Sequence, residues 1–301
     1  MENKIRIKGM ILAITGASFW GLGGTVSDFL FQYKYIDIDW FVTIRLLFSG
    51  ILLLFLFKII NKKDSLFSVF KNKNDILQLL FFSIFGMLLV QYSYMASINL
   101  GNAAIATLLQ YIAPVYIIIW YIIIKQDTFK LFDFLTILLT LSGSFLLLTN
   151  GSFNNLIVPK SSIIWGIISG ISLAFYTLYV SKLLVKFPSI LIVGWSMLIS
   201  GIFMNFKAPV WDVNLKTLVS VTILFLLFGI VGGTTIAFFF FISSLNYINA
   251  KETAFYGTIE PVMAILSSAI WLNVSFLPLQ ITGIALIIIL IFIISLKKES
   301  T

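Results

Sequence analysis

Residues 99–115 read NLGNAAIATLLQYIAPV, and residues 246–262 read NYINAKETAFYGTIEPV. The two stretches align without a gap at an offset of 147 residues, from Asn99 to Asn246. Each opens with Asn-x-x-Asn-Ala, enters an apolar helix and reaches a mid-helix proline: Ala113-Pro114-Val115 in one, Glu260-Pro261-Val262 in the other. Two further pairs keep the same order along the chain, Phe19-Trp20 with Phe175-Tyr176 and Ser49-Gly50 with Ser200-Gly201. The chain therefore reads as two related halves, residues 1–150 and 160–301.

Working outward, almost all the rest is apolar. Sixty per cent of the 301 residues are hydrophobic and 11% are charged, against about 25% charged in an ordinary soluble domain. A water-soluble globule would leave many of the 30 Phe on a wet surface, so the solvent is lipid. A spanning helix needs about 20 mostly apolar residues. That length picks out ten spans: 9–32, 38–60, 75–98, 102–124, 130–149, 162–184, 189–206, 217–244, 252–272 and 278–296. Lipid offers the backbone no hydrogen-bond partners, so each is expected to be helical. The first, although preceded by Lys4, Arg6 and Lys8, runs far past a signal-peptide core and is expected to be a retained helix.

Ten spans put fifteen Lys and Arg on one side, among them Lys4, Arg6, Lys8 and the five lysines from Lys58 to Lys73. The other side holds four: Lys34, Lys160, Lys207 and Lys216. By the positive-inside rule both termini are cytoplasmic. The net charge of +8 is thereby explained by topology and anionic headgroups, and nucleic acid is not an expected partner. Five spans per half is an odd number, so the second half enters the membrane upside down relative to the first. The expected fold is an all-α polytopic membrane protein, ten transmembrane helices arranged as two inverted five-helix repeats. This is a common plan for secondary transporters, with the binding site near the midplane where the repeats meet.

The chain has no Cys and no His. Thiolate chemistry, disulfides and the commonest metal ligand are excluded, and any proton relay must use Asp or Glu. No cofactor is expected. There is no G-x-x-x-x-G-K-[ST] phosphate loop, which argues against ATP hydrolysis. Asp37 and Asp39 form a D-x-D pair at an interfacial turn without a partner carboxylate cluster. An intramembrane enzyme and a passive sensor or scaffold are therefore the weaker alternatives to transport. A monomer and a homodimer both suit the sequence.

Charge inside a membrane is costly and marks function or pairing. Glu260, eight residues into its span, is the candidate cavity carboxylate, taking a substrate amine or a proton; alternatively it fixes the bend before Pro261. Glu252, Tyr256 and Glu260 share the i, i+4, i+8 face of one helix. Gln91 and Tyr94 share a face of span 3, and Thr107, Gln110 and Tyr111 cluster before Pro114. These are expected either to hold helices together by interhelical hydrogen bonds or, with Trp20 and Tyr176 at matching positions of the two halves, to form the substrate-binding lining. Asp28 and Arg45, at similar depth in consecutive spans, are expected to form an ion pair, structural or gating. Pro114 and Pro261 each free a carbonyl one turn earlier, which makes a hinge or a static kink.

The ten spans, the two five-helix repeats, Phe19-Trp20-Gly21, Arg45 in span 2 and the Ala-rich helix leading to each mid-span Pro together resemble the EamA type of the drug/metabolite transporter superfamily. The resemblance covers essentially the whole chain. It implies a bacterial inner-membrane permease, often an exporter of amino acids or other metabolites, with no catalytic activity. Such helices often carry an acidic residue before Pro in both halves and another at the end of the span. Here the first half has Ala113, and the span ends carry Gln126 and Asn273, which argues against a symmetric carboxylate mechanism.

Overall fold

The computed structural model describes residues 2–125, 129–152, 155–213, 218 and 220–296. Gln126, Lys216, Lys297 and Lys298 lie outside the described residues. The described chain forms ten helical rods: α1 (Glu2–Lys34), α2 (Ile38–Ile60), α3 (Lys73–Leu100), α4 (Ala103–Ile123), α5 (Leu131–Thr149), α6 (Lys160–Leu184), α7 (Ser189–Asn205), α8 (Val221–Ser244), α9 (residues 250–271) and α10 (Pro278–Leu296). Among the described residues, seven of these are long and apolar enough to cross a membrane unaided. Helices α7 and α10 are shorter apolar rods, and α9 is divided at Thr258.

The quoted repeat owes its opening to helix capping. Asn102 and Asn249 are N-caps of α4 and α9, their side chains accepting from Ile105 N at 2.9 Å and Glu252 N at 2.8 Å. An N-cap oxygen satisfies one of the four amides that a helix start leaves free. The Asn-Ala pair therefore fixes where each half's fourth helix begins.

The packing is two-fold related. Helix α1 lies against α8 and α9, and its counterpart α6 lies against α3 and α4. Helices α2 and α7, α4 and α9, and α5 and α10 pack as pairs across the repeats. The protein is thus an all-α polytopic membrane protein of ten helices in two inverted five-helix repeats. Lipid supplies no hydrophobic force between helices, so close contact and hydrogen bonds hold them together. Gly23 on α1 meets Gly233 on α8 so closely that a Cβ on Gly23 would lie 2.8 Å from the Gly233 Cα. Ser97 and Ser162 exchange hydroxyl-to-carbonyl bonds of 2.9 Å between α3 and α6.

Two π-helical stretches, Phe82–Leu88 in α3 and Phe228–Ile236 in α8, repeat one device. In each, the opening Phe ring (Phe82, Phe228) covers the glycine four residues on (Gly86, Gly232). Each also receives a serine hydroxyl from the opposite repeat: Ser200 donates to Ser83 O at 2.7 Å and Ser49 to Ile230 O at 3.1 Å. The Ser49-Gly50 and Ser200-Gly201 pairs read from the sequence are these two hydroxyls with their neighbouring glycines, at which α2 and α7 cross. π-Turns are rare and favour functional sites.

Candidate functional site

The two prolines set the geometry where the repeats meet. Pro261 has no N–H, so it leaves Gly257 O, four residues earlier, without its helical partner. The helix yields there, dividing at Thr258. Tyr111 from the other repeat supplies the missing donor: its hydroxyl lies 2.9 Å from Gly257 O and 2.9 Å from Glu260 Oε2. Tyr111 itself sits in the corresponding break of α4, between Ala103–Gln110 and Ala113–Ile123. Pro114 likewise frees Gln110 O, which abuts Gly170 on α6.

This geometry has a proton count. A phenol carries one hydrogen and cannot donate fully to both acceptors. Both contacts become good hydrogen bonds when a protonated Glu260 donates to Tyr111 and Tyr111 donates to Gly257 O. An ionised Glu260 takes the Tyr111 hydrogen for itself and leaves the freed carbonyl without a donor. Glu260 is 9% exposed, and Gly21 of α1 crosses directly above it, with a Cβ there only 2.5 Å from Glu260 O.

Arg45 is 7% exposed. Its Nε donates to Thr234 Oγ1 at 2.7 Å and its Nη2 to Gln91 Oε1 at 2.8 Å. Thr234 belongs to the π-stretch of α8 and passes its own hydrogen to Gly229 O at 2.8 Å. The expected Asp28–Arg45 ion pair is not formed. Asp28 instead accepts from Ala103 N at 2.9 Å, because the first amides of α4 attract a carboxylate as an anion site. Asp28 is therefore a second cap on α4 in this conformation.

Three more expected residues have partners in the same layer. Tyr94 meets Thr107 Oγ1 at 2.7 Å, in the space that Gly24 leaves on α1. Gln110 Nε2 donates to Ser169 Oγ at 2.7 Å. Trp20 and Tyr176 are half-buried and pack on rings of the opposite repeat, Trp20 on Phe238 and Phe241, Tyr176 on Phe82. Among the described residues no hydrogen bond engages either polar tip. The continuous face of Glu252, Tyr256 and Glu260 is not realised, since the break at Thr258 interrupts the helix. Glu252 pairs with Arg6 at 2.5 Å, Tyr256 meets the Phe255 ring edge to face, and Glu260 alone enters the polar layer. Asp37 caps α2 through Trp40 N at 2.8 Å and Asp39 pairs with Lys207 at 2.8 Å, so the D-x-D pair is structural.

Sequence reading missed Thr234 and Ser169. Both are small hydroxyls inside apolar helices, where their usual partner is a carbonyl of their own helix. The signal that finds Thr234 is its place after Gly229, Gly232 and Gly233, in the segment whose Phe-x-x-x-Gly matches Phe82 to Gly86.

Ten apolar helices in two interlocked, inverted sets of five, with buried opposite charges between them, define a membrane transporter. The chain belongs to the EamA-like transporter family, which matches residues 7–149 and again residues 160–296. It is similar to an uncharacterized inner membrane transporter, YicL, of Salmonella typhimurium, at 31% identity over 97% of this chain and 96% of that protein. A solved crystal structure shares the fold, with a TM-score of 0.63 at 14% identity over 97% of this chain and 98% of its own. This is a family of transporters, not of enzymes.

Proposed function

We propose that the protein is a secondary transporter of small metabolites, amino acids and related amines first, working by alternating access and most simply as an exporter. Repeats 1–150 and 160–301 are the moving units, and the central cavity opens between them. The membrane is the bacterial inner membrane, in keeping with the name of the YicL relative. The termini are cytoplasmic, in keeping with the fifteen-to-four division of basic residues.

The observation that carries this reading is the bond from Tyr111 in one repeat to Glu260 in the other, made where both helices are broken next to proline. Glu260 takes a substrate ammonium or a proton. Either event draws on the hydrogen that Tyr111 shares with Gly257 O, so occupancy is coupled to the α9 break and the interface between repeats. Gln91, Tyr94, Gln110 and Tyr111 supply polar contacts, Trp20, Tyr176 and Tyr256 supply aromatic walls, and Pro114 and Pro261 supply the hinges.

The test is counterflow of labelled amino acids in proteoliposomes, comparing the wild type with Glu260→Gln. The variant is expected to lose exchange or its dependence on pH. Unchanged counterflow with unchanged pH dependence removes Glu260 from the mechanism.

A further inference from the structure

We propose that Arg45 is the anion-recognising residue of the transport site, so that a substrate must bring a carboxylate to bind well. The inference rests on the transport function proposed above and narrows its substrate class: amino acids qualify and their decarboxylated amines do not.

Arg45 is 7% exposed inside α2. A buried guanidinium ordinarily faces a carboxylate, because an isolated charge in such surroundings is expensive. Among the described residues the ion pairs lie near the helix ends: Arg6 with Glu252, Lys186 with Asp75, and Lys207 with Asp39. Arg45 is in none of them. Its two hydrogen bonds go to neutral oxygens, Thr234 Oγ1 and Gln91 Oε1. Both acceptors sit at or just beyond a π-stretch, Thr234 within Phe228–Ile236 and Gln91 three residues after Phe82–Leu88. The guanidinium is thus oriented from two sides while its charge is left unmatched. Among the described residues Nη1 has no hydrogen-bond partner. That leaves Nη1 free to donate a charge-assisted hydrogen bond to a carboxylate.

The nearby carboxylates do not fill the vacancy. Asp28 is committed to Ala103 N and Glu260 to Tyr111. At the helical rise Arg45 is about 10 Å from the outer end of α2 and Glu260 about 16 Å from the outer end of α9. The two groups therefore stand within about 6 Å of the same depth, one from each repeat. A molecule with an ammonium and a carboxylate on neighbouring atoms satisfies both and joins the repeats through itself. A simple amine satisfies Glu260 alone and leaves Arg45 as it was.

The experiment measures thermal unfolding of the purified protein in detergent against two matched series. One is L-phenylalanine, phenethylamine and 3-phenylpropionate; the other is L-leucine, isoamylamine and 4-methylpentanoate. A ligand that binds only the folded state raises the midpoint. In the wild type an amino acid is expected to bind at least about tenfold more tightly than its amine, the scale of a charge-assisted bond. Arg45→Gln is expected to erase that preference, and Arg45→Lys, which keeps charge but not the planar guanidinium, to reduce it. Amines that bind the wild type as tightly as their amino acids overturn the inference and leave the transport reading standing, and so does a preference that survives in Arg45→Gln. The wild-type comparison decides alone if a variant fails to fold. If neither series binds or undergoes counterflow, the amino-acid reading falls and takes this inference with it.

Discussion

Replacing Tyr111 by Phe removes one oxygen and almost no volume, so its effect isolates the two hydrogen bonds that this hydroxyl makes. Gly257 O loses the donor that replaced its missing helical partner, and Glu260 Oε2 loses its only hydrogen-bonding side chain among the described residues. A buried acceptor left unsatisfied costs about 1–3 kcal/mol, while polar pairs between membrane helices average about 0.6 and reach about 1.7 kcal/mol. Tyr111→Phe should therefore destabilise the protein by about 1–2 kcal/mol in reversible unfolding from mixed micelles. A cycle with Glu260→Ala separates the two bonds; alanine is used because glutamine still accepts from Tyr111. The expected coupling is about 0.6–1.7 kcal/mol. Additivity within about 0.3 kcal/mol would refute the bond between repeats, and with it the proton count built on it. That count predicts one more signal: an infrared carboxylic-acid band at neutral pH, absent from Glu260→Gln. A spectrum showing only ionised carboxylate contradicts it.

Other predictions concern the framework. Gly23→Leu should cost at least about 1–3 kcal/mol, the range for overpacking, because a Cβ alone already lies 2.8 Å from the Gly233 Cα; unaltered unfolding would place the α1–α8 crossing elsewhere. Asp28→Ala should cost about 0.5–2 kcal/mol as a lost cap, whereas Asp28→Asn keeps an acceptor for Ala103 N and should cost less; the reverse order argues against capping. The hydrogen bond to Asp39 raises the pKa of Lys207 above the usual 10.5. A raised lysine pKa contributes stability that is present at neutral pH and lost as pH rises through the folded value. With the Lys207 side chain 56% exposed, Lys207→Ala should cost well under about 1 kcal/mol. That difference should be flat from pH 6 to 9 and vanish only in strong alkali; a difference that disappears near neutrality contradicts the pairing.

Much of this was legible because lipid enforces simple rules. Apolar length gives the rods and the parity of their number gives the inversion. The Asn-Ala pairs at 102 and 249 mark helix starts whose capping bonds the structure contains. Glu260 and Arg45 stood out as charges where none is cheap. Their partners were less legible. Helical spacing placed Glu252, Tyr256 and Glu260 on one face, but spacing presumes an unbroken helix, and Pro261 breaks it at Thr258. Similar depth suggested that Asp28 pairs with Arg45. Depth ignores rotation about the helix axis, and the amides opening α4 were the better partner for Asp28. The π-stretches left only the paired Phe-x-x-x-Gly as a trace, visible once the repeat is aligned.

Alternating access itself can be tested on a chain with no native Cys. A single Cys is placed at Gln110, in the layer between the repeats, and probed with a membrane-impermeant maleimide from each side of oriented vesicles. The account predicts labelling from both sides, with a saturating transported amino acid changing the ratio of the two rates. Labelling from one side only, at a rate indifferent to every substrate that undergoes counterflow, would contradict it.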